Sequence, residues 1–198
     1  ETFPVMNTDK NKSAKHEHIC PYWGVWTFDN FLRPYLHNPD KLFAPYVEPG
    51  MTVLDIGCGR GFATLGLARL VGAQGKVIAA DLQAEMLAMT RKRAEKIGLV
   101  DRIVFHQTAA DRIGVSEKIG FANAFWMVHE VPDQRAFLTE VFSLLEPGGR
   151  FFIAEPKMHV TLRDFDAMLQ LAQEIGFTIS DQPPVRISRA VVLARKTA

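Results

Sequence analysis

The stretch Val53-Leu54-Asp55-Ile56-Gly57-Cys58-Gly59-Arg60-Gly61 constrains this chain more than any other. A short apolar run feeds directly into three glycines at alternate positions, and a helical apolar pattern follows from Phe62. Glycine tolerates backbone angles that other residues resist, and it lets the main chain pass close beneath a ligand. A helix starting just past such a turn presents free N–H groups and the positive end of its dipole. Strand, glycine turn and helix therefore open an α/β unit with a ligand site at the carboxyl end of its strand. A dinucleotide fingerprint reads G-x-G-x-x-G. This turn reads D-x-G-x-G-x-G, with Asp55 two residues before the first glycine.

The rest of the chain repeats the unit. Apolar runs predict strands at 51–56, 76–80, 103–106, 121–128, 150–154, 177–180 and 191–194. Helical spacing predicts helices at 62–71, 84–97, 134–145 and 162–175, two of them followed by Gly98 and Gly176, which suit left-handed caps. Strands alternating with helices imply a doubly wound α/β fold, and nearly continuous apolar strands imply burial on both faces. The last two strands have no helix between them and are expected to form a hairpin, leaving one antiparallel strand in a mostly parallel sheet.

Ahead of this unit the pattern changes. Residues 1–19 are polar and mixed in charge, as a flexible arm is. Residues 20–48 are aromatic-rich and cut by Pro34, Pro39 and Pro45, which predicts a helical lid carrying Tyr22, Trp23, Trp26, Arg33 and His37. Residues 49–198 form the ligand-binding domain.

Asp81 ends the second strand, twenty residues beyond Gly61. An acid there accepts hydrogen bonds from ribose hydroxyls, a geometry shared by NAD-binding folds. It points to an adenosine ribose without choosing the cofactor.

These residues together resemble the class I S-adenosylmethionine-dependent methyltransferases. Asp55 to Gly61 resembles their first motif, and Asp81 their ribose acid. Leu145-Glu146-Pro147-Gly148-Gly149 resembles the turn before their fifth strand, and Val128 to Asp133 the segment after their fourth. The chain is similar to the ubiquinone/menaquinone-type branch. The resemblance implies a Rossmann-like fold and S-adenosylmethionine as cofactor. It places Gly57, Gly59 and Gly61 beneath the methionine part and Asp55 toward its amino end. It puts Leu82 against the adenine, and Phe125 and Trp126 beside the transfer site. Thr108-Ala109 stands where many relatives carry an acid followed by alanine, so Thr108 departs from the pattern, with Asp111 nearby.

Methyl transfer from a sulfonium is a direct displacement, so the protein mainly aligns the reactants and excludes water. A base is needed only where the acceptor must lose a proton. His129 and Glu130, after the fourth strand, are the candidate catalytic residues, and Glu155, ending the fifth, is a candidate pocket residue. The simpler reading of His129 is a residue that caps or packs a loop. His16, His18 and Cys20 make too weak a set for a metal site, and none is assigned.

The bulk composition bounds the rest. Twenty-three Lys and Arg stand against 22 Asp and Glu, a formal net charge of +1, which is not the basic footprint of a nucleic-acid protein. Two cysteines, Cys20 and Cys58, suit a reducing cytoplasm rather than a disulfide scaffold. No stretch approaches the ~20 apolar residues of a membrane span. The expectation is a cytoplasmic enzyme acting on a small-molecule acceptor. The alternatives are a non-catalytic S-adenosylmethionine-binding domain and an NAD-dependent oxidoreductase. The oligomeric state is not legible.

Overall fold

A computed structural model describes residues 37–197. The chain enters through a short helix, α1 (Pro39–Phe43), which Asn38 caps by accepting from the Lys41 amide at 3.0 Å. Pro39 at its first turn has no N–H to leave unpaired. Six strands and three helices follow: β1 (Thr52–Ile56), α2 (Phe62–Leu70), β2 (Lys76–Asp81), α3 (Ala84–Lys96), β3 (Ile103–Gln107), β4 (Ile119–Phe125), α4 (Gln134–Leu144), β5 (Leu145–Pro156) and β6 (Phe177–Asp181). A further helix, α5 (Leu162–Ile175), lies between β5 and β6, and β7 (Ser188–Arg195) closes the sheet.

The seven strands form one sheet in the order β3-β2-β1-β4-β5-β7-β6. Pairs among β1 to β5 are parallel, and β7 runs antiparallel to both β5 and β6. This is the expected mostly parallel sheet with its one antiparallel strand. The winding reverses between β1 and β4, which pair directly. The crevice where open α/β sheets bind ligands lies outside the carboxyl ends of strands at such a reversal.

Alternation along each strand sends successive side chains to opposite faces. Leu54, Ile78, Ala122, Phe151 and Ile153 pack with Leu138 and Val141 of α4 and Phe165 and Met168 of α5. Val53, Val77, Phe121 and Phe152 face Leu67 and Ala68 of α2 and Leu87 of α3. Phe43 of α1 joins that second face, fully buried and edge-on to Phe121 and Phe152 at 5.9 and 5.3 Å. A buried aliphatic or Phe side chain contributes roughly 1.5–3 kcal/mol by leaving water, so both layers anchor the sheet strongly. By comparison the exposed Asp40–Arg69 pair, at 2.8 Å through both carboxylate oxygens, adds less than about 1 kcal/mol.

β4 and β5 depart most from the expected bounds, and β7 begins at Ser188 rather than at 191. The fourth strand stops at Phe125 rather than at 128, because the chain turns out of the sheet at Trp126 with φ 63°. The apolar run 126–128 holds no polar stop that would have marked this. The fifth strand runs from Leu145 to Pro156, well beyond 150–154, because Leu145 pairs with Ile119 and Glu155 and Pro156 pair with β7.

Candidate functional site

The glycine turn leaves the carboxyl end of β1 and is held from three sides. Cys58 N–H donates to the Ala80 carbonyl at 3.0 Å, extending the β1–β2 ladder. The Thr90 hydroxyl and the Arg93 guanidinium, both on α3, donate to the carbonyls of Gly59 and Arg60 at 2.8 and 2.7 Å. The Gly59 N–H donates to one oxygen of Asp81 at 2.8 Å, and the Gln83 N–H to the other at 2.9 Å. The ribose acid of the sequence reading is therefore also the tie that fixes the turn.

All three glycines have positive φ, but their surroundings differ. A Cβ on Gly57 would lie 2.9 Å from Met127 Cγ, and one on Gly61 2.6 Å from Thr90 Cγ2. A Cβ on Gly59, at φ 53°, would meet nothing within 4 Å. Packing excludes side chains at the outer two positions, while Gly59 borders open space. Just beyond, α2 begins at Gly61 with no side-chain cap, so its first N–H groups are available to a ligand.

Burial pushes the Asp81 carboxyl above the ordinary carboxylate range, against the backbone N–H groups of Gln83, Gly59 and Leu82, which pull it down. Each oxygen of Asp81 accepts one backbone bond and keeps a lone pair for a further donor.

Asp55 stands elsewhere. It is 1 % exposed, with one oxygen accepting from Thr64 Oγ1 at 2.5 Å and the other from Asn123 Nδ2 at 2.7 Å. Both partners are themselves fully buried. The side chain thus ties β1 to β4 and α2 beneath the turn. Thr64, Asn123 and Thr90 were missed in the sequence. The one signal was Asn123, a lone amide in an otherwise apolar strand.

On the far side of Asp81, Leu82 is half-buried, and its carbonyl accepts from Gln107 Nε2 at 3.2 Å. Thr108 N–H donates to the Asp81 carbonyl at 3.0 Å. Thr108 and Ala109 line a hollow of about 330 Å³ with His106, Gln107 and Arg112. A hollow of about 560 Å³ along Leu162, Arg163 and Asp166 on α5 contains none of the candidate residues.

The other flank is built on the ends of β4 and β5. Glu155, 2 % exposed, accepts from the Val128 N–H at 2.8 Å and meets His129 Nδ1 with its second oxygen. Together these bonds fasten the 3₁₀ turn Val128–Glu130 over the end of β5. His129 is 24 % exposed at its side chain. Its imidazole is lowered by burial and raised by the hydrogen bond and charge of Glu155 and by the charge of Glu130, with a net rise above 6.5. Glu130 is exposed beside it. Sequence reading placed His129 and Glu155 at the same rim; the fold brings them into contact.

Trp126 sits between the flanks. Its indole N–H donates to Ser188 Oγ at 2.8 Å. Its ring packs on Phe125 and on His37, with centroids at 5.3 and 5.7 Å. His37 is buried, with Nε2 2.9 Å from the Arg186 carbonyl. It lies against Phe125 and Trp126 at the end of β4 and against the β6–β7 connection. Tyr22, Trp23, Trp26 and Arg33, and the arm 1–19, lie outside the described residues.

Residues 47–182 match a family described as a methyltransferase domain. Over 110 residues the chain is 33% identical to the ubiquinone/menaquinone biosynthesis C-methyltransferase UbiE of Cronobacter sakazakii, covering 55% of this chain and 44% of that protein. Against the same-named protein of Salmonella arizonae the identity is 32% over 140 residues, 68% of this chain and 56% of that one. The chain thus spans about half the length of the curated relatives it matches. Among solved structures it resembles a SAM-dependent methyltransferase from Aquifex aeolicus, with TM-score 0.78 and 24% identity, covering 88% of this chain and 98% of that one. That likeness is one of fold.

Proposed function

This chain belongs to the methyltransferase domain family, of the class I S-adenosylmethionine-dependent kind, and on that premise we propose that it methylates a small-molecule acceptor bound beside β4 and β5. The observation that carries the proposal is the open space at Gly59, bordered by a buried, ionisable Asp81 and by the uncapped start of α2.

The residues fit the cofactor. A Cβ at Gly59 would enter space that the turn otherwise leaves free. Asp81 offers lone pairs to a ribose diol, and the α2 N-terminus favours a carboxylate. When bound, S-adenosylmethionine supplies an electrophilic methyl on a sulfonium. Around it, Asp81 orients the ribose and Leu82 and Thr108 border the base. Met127, seated against Gly57, brings the β4 rim up to the cradle, and the Trp126 indole walls the acceptor side. Asp55 acts at one remove, by fixing β1 to β4 under the turn.

The test is calorimetric binding of S-adenosylhomocysteine and of NAD to the full chain, followed by S-adenosylhomocysteine formation over a panel of small acceptors. The expected result is binding of the first ligand and not of NAD, with turnover on members of the panel. Tight NAD binding would support the oxidoreductase alternative. Cofactor binding with no turnover on any member of the panel would support the non-catalytic one.

A further inference from the structure

We infer that His129 is the base of the reaction, with Glu155 positioning it, and that the acceptor is therefore a group that carries a proton at neutral pH, a hydroxyl being the plainest case. The inference rests on the methyltransferase reading above and deepens it.

Three placements carry it. First, the buried Glu155 engages Nδ1 of His129. A carboxylate on Nδ1 holds that proton there and leaves Nε2 with its lone pair outward, the arrangement of a base oriented by a third group. Second, the other Glu155 oxygen takes the Val128 N–H at 2.8 Å, so the same side chain fixes both the ring and the backbone that bears it. Third, Met127, the residue before that turn, is what a Cβ on Gly57 would strike at 2.9 Å. The turn is thus seated on the cofactor cradle. His129 is partly exposed on the turn that follows β4, at the carboxyl end of the sheet where open α/β folds bind ligands.

The charged groups around the ring favour its protonated form. Burial opposes that form, but Glu155 from β5 and Glu130 from its own turn outweigh it; the His159 ring packs 5.8 Å away. In the step itself, the acceptor O–H proton passes to Nε2 as the new oxygen–carbon bond forms. The carbon–sulfur bond breaks with its electron pair going to sulfur, which becomes a neutral thioether. The Glu155 carboxylate stabilises the imidazolium until its proton leaves to solvent. Acceptors already nucleophilic at neutral pH, such as carboxylates, need no such pair.

The test uses full-length wild type, His129→Gln and Glu155→Gln. Glutamine at 155 keeps an acceptor for Val128 but turns an N–H₂ toward Nδ1, which favours the wrong tautomer. Imidazole titration by NMR, with S-adenosylhomocysteine bound, should place His129 above its ordinary value in wild type and lower in Glu155→Gln. With phenol, catechol and 1-naphthol as probes, kcat should fall roughly 10²–10⁴-fold in His129→Gln, while the Kd of S-adenosylhomocysteine stays within about twofold. In wild type kcat/KM should rise with pH through the NMR value, and Glu155→Gln should move both together. A kcat within threefold of wild type in His129→Gln would overturn the inference. So would a kinetic pKa that stays put while the NMR value moves, or wild type that binds S-adenosylhomocysteine and methylates none of the three. Wild type failing to bind S-adenosylhomocysteine would instead defeat the reading beneath it.

Discussion

Asp81→Asn separates a residue that binds from one that merely folds. The wild-type carboxylate is 8 % exposed and accepts backbone N–H groups of Gly59 and Gln83 at 2.8 and 2.9 Å. Asparagine keeps one carbonyl acceptor and turns its amide N–H₂ against the other backbone donor. Losing one charge-assisted bond costs about 1.5–3 kcal/mol. An opposing effect has the other sign. Burial raises the folded pKa of Asp81 above 3.8, so this group's contribution to stability is lost as pH rises through its folded value. At neutral pH the fold holds an unfavourable buried charge, and the amide removes it. The two effects offset in the folded protein, and the midpoint of thermal unfolding should move by less than about 6 °C, at roughly 2–4 °C per kcal/mol for a chain of this size. Binding has no such offset. A carboxylate accepting from ribose hydroxyls is replaced by a group that can match only one, at about 1.5–3 kcal/mol. That corresponds to roughly a tenfold to hundredfold rise in Kd. Calorimetry with S-adenosylhomocysteine and differential scanning calorimetry on the same preparation measure both. An unchanged Kd would refute the ribose role; a Kd lost in proportion to a collapsed Tm would show that Asp81 serves the turn alone.

The glycines should divide in the same assays. Gly59→Ala places a methyl in open space at φ 53°, so it should cost only about 1–2 kcal/mol of stability and yet abolish measurable S-adenosylhomocysteine binding. Gly61→Ala drives its Cβ to 2.6 Å from Thr90 at φ 83°, and backbone strain plus overpacking should cost roughly 2–5 kcal/mol in urea unfolding. Phe43→Ala, fully buried between Phe121 and Phe152, should lose roughly 3–5 kcal/mol by the same measurement. The His129–Glu155 pair should also mark the pH dependence of stability. The folded His129 value lies above 6.5, so the pair's contribution is fully present below 6.5 and is lost as pH rises through the folded value. Unfolding midpoints from pH 5.5 to 9 should show that decline in wild type and a flatter profile in Glu155→Gln.

The cofactor half was legible because it is local. Asp55 to Gly61 and Asp81 sit on two consecutive strands, and their spacing alone brings the turn and the acid together. What each residue does there was less legible. Asp55 is marked by its motif position, but its bonds to Thr64 and Asn123 depend on α2 and β4 packing beside β1. His37 reads as a lid residue from its place in the aromatic segment; its contacts with Trp126 and the Arg186 carbonyl depend on how the sheet ends are assembled. The acceptor half depends on pairing across the sheet. His129 and Glu155 are 26 residues apart, and they meet because β4 and β5 are neighbours with Phe125 level with Ala154. Strand order fixes that contact, and an alternation of strands and helices reveals only that a parallel sheet exists.

The two halves also differ in how they are held, and this bears on how acceptor preference would change. The cradle is fixed at its main chain: Cys58 N–H bonds the Ala80 carbonyl, and the side chains of Thr90, Arg93 and Asp81 bond the backbone of Gly59 and Arg60. The acceptor rim instead turns on side chains and on two non-glycine residues in left-handed conformations, Trp126 at φ 63° and Ile187 at φ 55°. Such backbone costs of order 1–3 kcal/mol and persists only where the surroundings enforce it. Here the enforcement is visible. The Trp126 N–H continues the ladder to the Ala154 carbonyl at 2.8 Å, its indole N–H reaches Ser188, and the Ile187 carbonyl accepts from Lys157 at 3.0 Å. One bond network therefore joins the ends of β4, β5 and β7 around the proposed acceptor position. Substituting Ser188 by Ala would remove the hydrogen bond from the partly buried Trp126 indole, at about 0.5–1.5 kcal/mol. It should shift KM for the acceptor while leaving the Kd of S-adenosylhomocysteine unchanged, because no bond of the cradle passes through β7. Equal changes in both constants would mean that the two halves are coupled through Trp126 rather than separately built.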